Sequence, residues 1–163
     1  MLKLLATLKK ALSESKHFSE RKMKCYVNYH QEVTNGNSRK FFANERTESL
    51  QKIENKLMYF ENANELRDAC WKKMTEYAFV LSPPGNGWDC HRTWEALCLG
   101  CIPIVRRSGM RVDELFDDLP VLLVDRWEEV TEKLLTETIE AFALKDFNME
   151  KLKLKYWIDK IHE

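Results

Sequence analysis

The chain has no run of about 18 apolar residues, the length a helix needs to cross a bilayer, so a spanning segment is excluded. It has no excess charge of either sign: Lys plus Arg and Asp plus Glu number 26 each among 163 residues. A balanced chain exerts no long-range pull on DNA, RNA or an acidic membrane, so nucleic acid is not expected as a partner and any anion must be held by a local site. The five cysteines, Cys25, Cys70, Cys90, Cys98 and Cys101, do not make an even set. An odd count without a secretory signal argues against a disulfide framework and for free, mostly buried thiols in a cytoplasmic setting. No internal repeat, low-complexity tract or linker divides the sequence, so residues 1–163 read as one domain. A 44% apolar and 32% charged composition is that of a globular chain rather than a disordered one.

The opening MLKLLATLKKAL places Leu2, Leu5, Leu8 and Leu12 on one helical face. Lysines interrupt any signal-peptide core, so residues 1–22 read as an amphipathic helical extension that covers apolar surface. A first strand is expected at Lys24–Tyr29, followed by a polar loop His30–Ser38 and a helix from Ser38 through Arg39 to Asn55. A short strand Leu57–Phe60 follows. Asn62 or Asn64 then caps a helix with Leu66, Ala69, Cys70 and Met74 on one side. Strands are expected at Ala78–Ser82, Cys101–Val105 and Pro120–Val124, with a short helix near Val112–Phe116. A helix starts at Asp125 with Trp127, Val130, Leu134 and Ile139 inward, and residues 148–163 form a last helix. Strands alternate with helices, and FVLS and VLLV are uninterrupted apolar runs, as in strands covered on both faces. The fold class is therefore α/β, a Rossmann-like parallel sheet flanked by helices. Ligands in such sheets sit beyond the carboxyl ends of the strands, which points to the loops His30–Ser38, Ser82–Cys90 and Arg106–Val112.

The stretch FVLSPPGNGWDCHRTWEALCLGCIPIV, Phe79–Val105, reads as strand, glycine loop, helix start and strand. Gly85 and Gly87, with Asn86 between them, let backbone approach a ligand closely. The following helix begins with unpaired N–H groups and positive potential, a natural seat for phosphate. His91 and Arg92 lie in its first turn, and an arginine there makes most sense beside an anion. Glu95, one turn deeper, shares the face of positions 91 and 92 and has the acceptors for two vicinal hydroxyls. Asp89 either caps the helix or faces sugar hydroxyls. Arg92 could instead pair with Asp89 or Glu95, Glu95 could be a plain surface carboxylate, and His91 could pack or cap.

The run PPGNGWDCHRTWEALCLGCIPIV resembles the signature of exostosin-type glycosyltransferases and their bacterial and viral relatives. FDDLPVLLVDRWEEVTEKLL, Phe116–Leu135, is similar to the same family, and KLKLKYWIDKI more weakly so. The match covers about 80 residues. It implies the donor-binding half of a GT-B architecture, with a nucleotide diphosphate sugar as ligand. Glu95 would hold the ribose. Arg92, Gly85–Gly87 and the helix start would hold the diphosphate, and Arg39 is a second diphosphate candidate. His91, Asp89 and Asn86 complete the expected donor site. Family members are inverting and use no cofactor and no carboxylate-bound metal, so leaving-group charge is met by helix dipole and arginine.

About 23 residues precede the first expected strand, too few for an acceptor-binding half. The chain is therefore expected to bind donor, with the acceptor half on a partner domain or subunit. The alternative is a non-catalytic remnant or interaction subunit that keeps the fold. A response-regulator-like domain ranks low, because NYHQ follows the first strand where an acidic cluster belongs. Cys98-Leu99-Gly100-Cys101 lacks the second ligand pair a zinc site needs. Asp117-Asp118 reads as a loop or cap, and Trp127, Tyr156 and Trp157 as core or interdomain contacts.

Overall fold

The structure, a computed structural model, describes residues 2–30, 42, 44–61 and 65–162, with side chains from residue 6 onward. Five strands form one all-parallel sheet: β1 Lys22–Val27, β2 Met58–Phe60, β3 Tyr77–Leu81, β4 Ile102–Arg106 and β5 Leu122–Val124, in the order β2-β1-β3-β4-β5. The register sets Tyr26 opposite Tyr59 and Val80, Val80 opposite Pro103, and Ile104 opposite Leu122. The helices are α1 Leu2–Ser13, α2 Glu45–Lys52, α3 Arg67–Met74, α4 His91–Cys98, α5 Glu132–Ala143 and α6 Leu154–His162.

Both sheet faces are covered, which is why the central β3 is buried and apolar throughout, while β1 opens with exposed Lys22 and Lys24 before its buried half Cys25–Val27. Side chains alternate across the pleat. On one face Cys25, Val27, Phe79, Leu81, Ile102, Ile104 and Val124 pack with Ile53 just after α2, with Trp127 and Val130, and with Leu135 of α5. On the other, Tyr26 and Val80 pack with Ala11 of α1, Trp71 and Met74 of α3, and Ala96 and Leu99 at α4. A third cluster joins Leu97, Val105, Phe116, Leu119 and Val121, with Trp94 and Leu152 at its margin. Trp127 is core. Trp157 lies against Trp94, with ring centroids 6.4 Å apart, and donates to the Lys151 carbonyl.

The strand order sharpens the search for a site. From β1 the chain moves to one edge through α2, and from β3 it moves to the other through α4. Ligand crevices form where direction reverses in this way, here at the carboxyl ends of β1 and β3.

Several local expectations shift. In α1 the inward residues are Leu8 and Ala11, while Leu12 is 44% exposed. At α3 the inward residues are Cys70 and Met74 as expected, joined by Trp71, while Ala69 and Leu66, the latter just before the helix and 72% exposed, face out. The helix expected from Asp125 is two elements, a 3-10 turn Trp127–Glu129 and then α5, whose true cap is Thr131, its hydroxyl accepting from the Leu134 N–H. The segment expected as a single last helix is a 3-10 turn Met149–Leu152 followed by α6, and the helix near Val112–Phe116 is also 3-10. Residues 31–41, 43 and 62–64 lie outside the described residues, and with them Ser38, Arg39, Asn62 and Asn64. Asp117-Asp118 is a chain turn: Asp118 has φ 59°, and its carbonyl accepts from Asn148 N–H while Lys151 Nζ binds the Asp117 carbonyl. Among the described residues no helix is long and apolar enough to cross a membrane.

Candidate functional site

The loop after β3 is folded inward. Ser82, Pro83, Pro84 and Gly85 are buried, and the Ser82 and Thr93 hydroxyls bond at 2.9 Å across the loop's base. Gly85 N–H donates to the Gly87 carbonyl at 3.1 Å, closing a tight turn. Gly85 leaves room for Arg46: a Cβ there would stand 2.7 Å from Arg46 Nη2 and displace the arginine tip, whereas a Cβ at Gly87 would meet nothing within 4 Å. Backbone is thus brought against one arginine at Gly85 and left open at Gly87.

Helix α4 starts beside this turn. Its N-cap is Cys90, whose side chain caps no helix N–H. The thiol instead reaches back to the Pro83 and Gly87 carbonyls, at 3.7 and 3.6 Å, and fastens the loop. Asp89 is not the cap: its Oδ1 accepts from Trp94 Nε1 at 2.6 Å. Neither the Cys90 nor the Asp89 side chain therefore caps the first-turn amides of α4, and the positive end of the helix faces the loop.

Arg92 is 9% exposed. Its guanidinium lies 4.9 Å from the Tyr29 ring centroid and donates one long bond, 3.4 Å, to the Pro83 carbonyl. Among the described residues it forms no ion pair with Asp89, Glu95 or any other carboxylate. Burial pushes its pKa down, and the neighbouring Arg46 pushes the same way. It nonetheless remains a cation at neutral pH. Arg46, on the first turn of α2, points to the same place. It donates to the His30 carbonyl at 2.8 Å and the Pro84 carbonyl at 3.4 Å, and lies 5.9 Å from the same Tyr29 ring. Two like charges thus converge over one aromatic ring. Burial raises the Tyr29 phenol to about 12, although Ser49 and both arginines pull it down.

Glu95 stands one turn below. Its Oε2 accepts from the buried Trp71 indole N–H at 3.0 Å, while among the described residues Oε1 makes a 3.9 Å ion pair with the exposed Arg67 guanidinium. The carboxylate is 22% exposed and opens to the crevice rather than to the core. One oxygen is thereby oriented and the other stays available.

These residues line two adjoining cavities of about 350 Å³ each at the β1/β3 reversal. One contains Gly85, Asn86, Gly87, Asp89 and Cys90, the other Asn28, Tyr29, Trp71 and Glu95, and Arg46, His91 and Arg92 border both. Every expected site residue among the described ones, His91 at the exposed mouth included, is thus brought to one crevice. Arg46, Tyr29 and Trp71 were not expected from the sequence. Tyr29 and His30 lie two and three residues beyond the end of β1, a signal available in the strand-end rule. Arg46 sits in ERTESLQK, which carries no motif at all.

Two larger cavities, about 420 and 480 Å³, open at the opposite, amino ends of the strands. Arg21 lines both, and its guanidinium is already committed to Lys16 O, Ser15 Oγ, Leu99 O and Cys101 Sγ. Volume favours that edge, but unpaired buried charge and strand polarity favour the carboxyl edge, and charge is what selects an anionic ligand. No group of three or more His, Cys, Asp or Glu among the described residues could hold a metal ion. The fold and crevice define an α/β protein of parallel, Rossmann-like arrangement with a cationic cleft at the strand ends. No family model matches the chain, and no curated protein matches it significantly.

Proposed function

We propose that the chain is the donor-binding half of a glycosyltransferase and holds a nucleotide diphosphate sugar in the β1/β3 crevice. The observation that carries this reading is Arg92: a buried guanidinium with no carboxylate partner among the described residues, aimed with Arg46 at a glycine turn and an uncapped helix start. A diphosphate supplies the missing counter-charge, and bidentate pairing suits its oxygens. Glu95 stands one helical turn along the same face, where the adjoining ribose offers vicinal hydroxyls. The resemblance of Phe79–Val105 to exostosin-type enzymes supports the same order of groups.

On this reading the residues bind and orient. Guanidinium and helix-end charge also stabilise the diphosphate as it leaves. Transfer further needs an acceptor and a base. Asp89, the carboxylate lining the loop cavity, has its Oδ1 held by the Trp94 indole. The acceptor side is assigned to a partner domain or subunit. Calorimetric titration with uridine and guanosine diphosphate sugars tests the proposal. Binding by one of them, weakened in Arg92→Ala and Glu95→Ala, is expected. A folded protein that binds no nucleoside diphosphate refutes it.

A further inference from the structure

Glu45 is buried, 7% exposed, yet it lines neither cavity at the site. A carboxylate out of water is costly unless its oxygens are matched. Here both are: Oε1 pairs with the Arg106 guanidinium at the end of β4, and Oε2 accepts from Trp127 Nε1 at 3.1 Å, just beyond β5. Arg106 Nε in turn donates to the Asp125 carbonyl. The next residue, Arg46, reaches the other way, to the carbonyls of His30 after β1 and Pro84 after β3. Ser49, one turn on, hydrogen-bonds to the Arg46 carbonyl and to the Tyr29 hydroxyl, each at 2.8 Å. The first turn of α2 therefore laces together the carboxyl ends of β1, β3, β4 and β5.

We infer that Glu45 is a positioning residue for the diphosphate cradle, acting through Arg46: its buried pairing with Arg106 and Trp127 anchors the start of α2 and so holds the Arg46 guanidinium over the Gly85 turn. This rests on the assignment of the crevice to a diphosphate, though not on the nucleoside. Without the anchor, Arg46 must be ordered at the moment of binding, which lowers affinity. A purely structural role would lower stability alone. A role through Arg46 makes the two residues non-additive toward ligand.

The test is a double-mutant cycle read with inorganic pyrophosphate by calorimetry, on the full chain, with circular dichroism to verify folding. Glu45→Gln keeps the shape and removes the charge; Arg46→Met removes the guanidinium. Glu45→Gln is expected to weaken pyrophosphate by about fivefold in the wild-type background and by under about twofold beside Arg46→Met. Arg106→Lys, which keeps a cation facing Glu45, is expected to stay within about twofold of wild type. If Glu45→Gln does not fold, Trp127→Phe, which removes only the N–H anchor from an aromatic of similar shape, carries the same cycle. Equal loss in both backgrounds, no loss at all, or a wild-type chain that ignores pyrophosphate overturns the inference. Pyrophosphate binding with the expected cycle, but no gain on adding a nucleoside, leaves this inference standing and refutes the nucleotide reading instead.

Discussion

Arg92→Met should make the protein more stable and worse at binding, and the size of both effects follows from the arginine's surroundings. Withdrawing a cation from water costs several kcal/mol even after relaxation. Arg92 recovers part of this from the Tyr29 ring at 4.9 Å, about 1–2 kcal/mol for a desolvated cation–π contact. The 3.4 Å bond to Pro83 O returns at most about 1 kcal/mol. That carbonyl also receives the Cys90 thiol, so it is not orphaned by the change. Methionine fills much of the same volume with no charge to desolvate. The net expectation is a gain of about 1–2 kcal/mol, or about 2–8 °C in Tm at about 2–4 °C per kcal/mol for a chain of this length. Diphosphate affinity should fall by about 1.5–3 kcal/mol, the worth of a charged hydrogen bond. Thermal denaturation by circular dichroism and calorimetric titration with a nucleoside diphosphate read the two effects. A variant that melts lower and binds as well as wild type would make Arg92 a structural residue and refute the reasoning.

Gly85→Ala places a methyl group where Arg46 Nη2 now lies 2.7 Å away; the arginine tip should swing aside, weakening diphosphate binding by about 1–2 kcal/mol with little change in Tm. Trp71→Phe removes the N–H that holds Glu95 Oε2 and should weaken a nucleoside diphosphate by about 1 kcal/mol while leaving pyrophosphate unaffected, as calorimetry would read. Burial raises the Cys25 thiol to about 12 and the Cys101 thiol to about 11, both from 9.0. Above about pH 9 the unfolded chain therefore releases protons that the folded chain retains, and stability falls as pH rises toward 11. In urea unfolding under reducing conditions each of these thiols should add about 1.4 kcal/mol per pH unit to the slope, and Cys25→Ala should lower the slope by that one share.

Strands β3 and β5 were legible because a doubly covered strand announces itself as a short unbroken apolar run, as FVLS and VLLV do; β1, with Lys22 and Lys24, was legible from its β-branched and aromatic half. The site residues of α4 were legible for a related reason: loop, helix start and face are all set within Ser82–Glu95, so spacing along the chain equals placement in space. Arg46 was not legible. Its position depends on how α2 lies across strand ends 16 and 38 residues away, at His30 O and Pro84 O, and nothing local encodes that. Asp89 has the type and place of a cap, and equally of a ligand to sugar hydroxyls. The nearby Trp94 indole competes for the same oxygen and wins at 2.6 Å. The start of α5 was misplaced because Asp125 and Thr131 are both good cap residues, and the 3-10 turn that buries Trp127 separates them.

The most direct test pairs Glu95 with the hydroxyls it is assigned. Nucleoside diphosphates carrying ribose or 2′,3′-dideoxyribose are titrated into wild type and Glu95→Ala, the base being whichever binds best. Wild type is expected to favour the ribose form by about 1.5–3 kcal/mol, and Glu95→Ala to bind both forms alike. Equal binding of the two forms by wild type, or a ribose preference that survives in Glu95→Ala, contradicts the account.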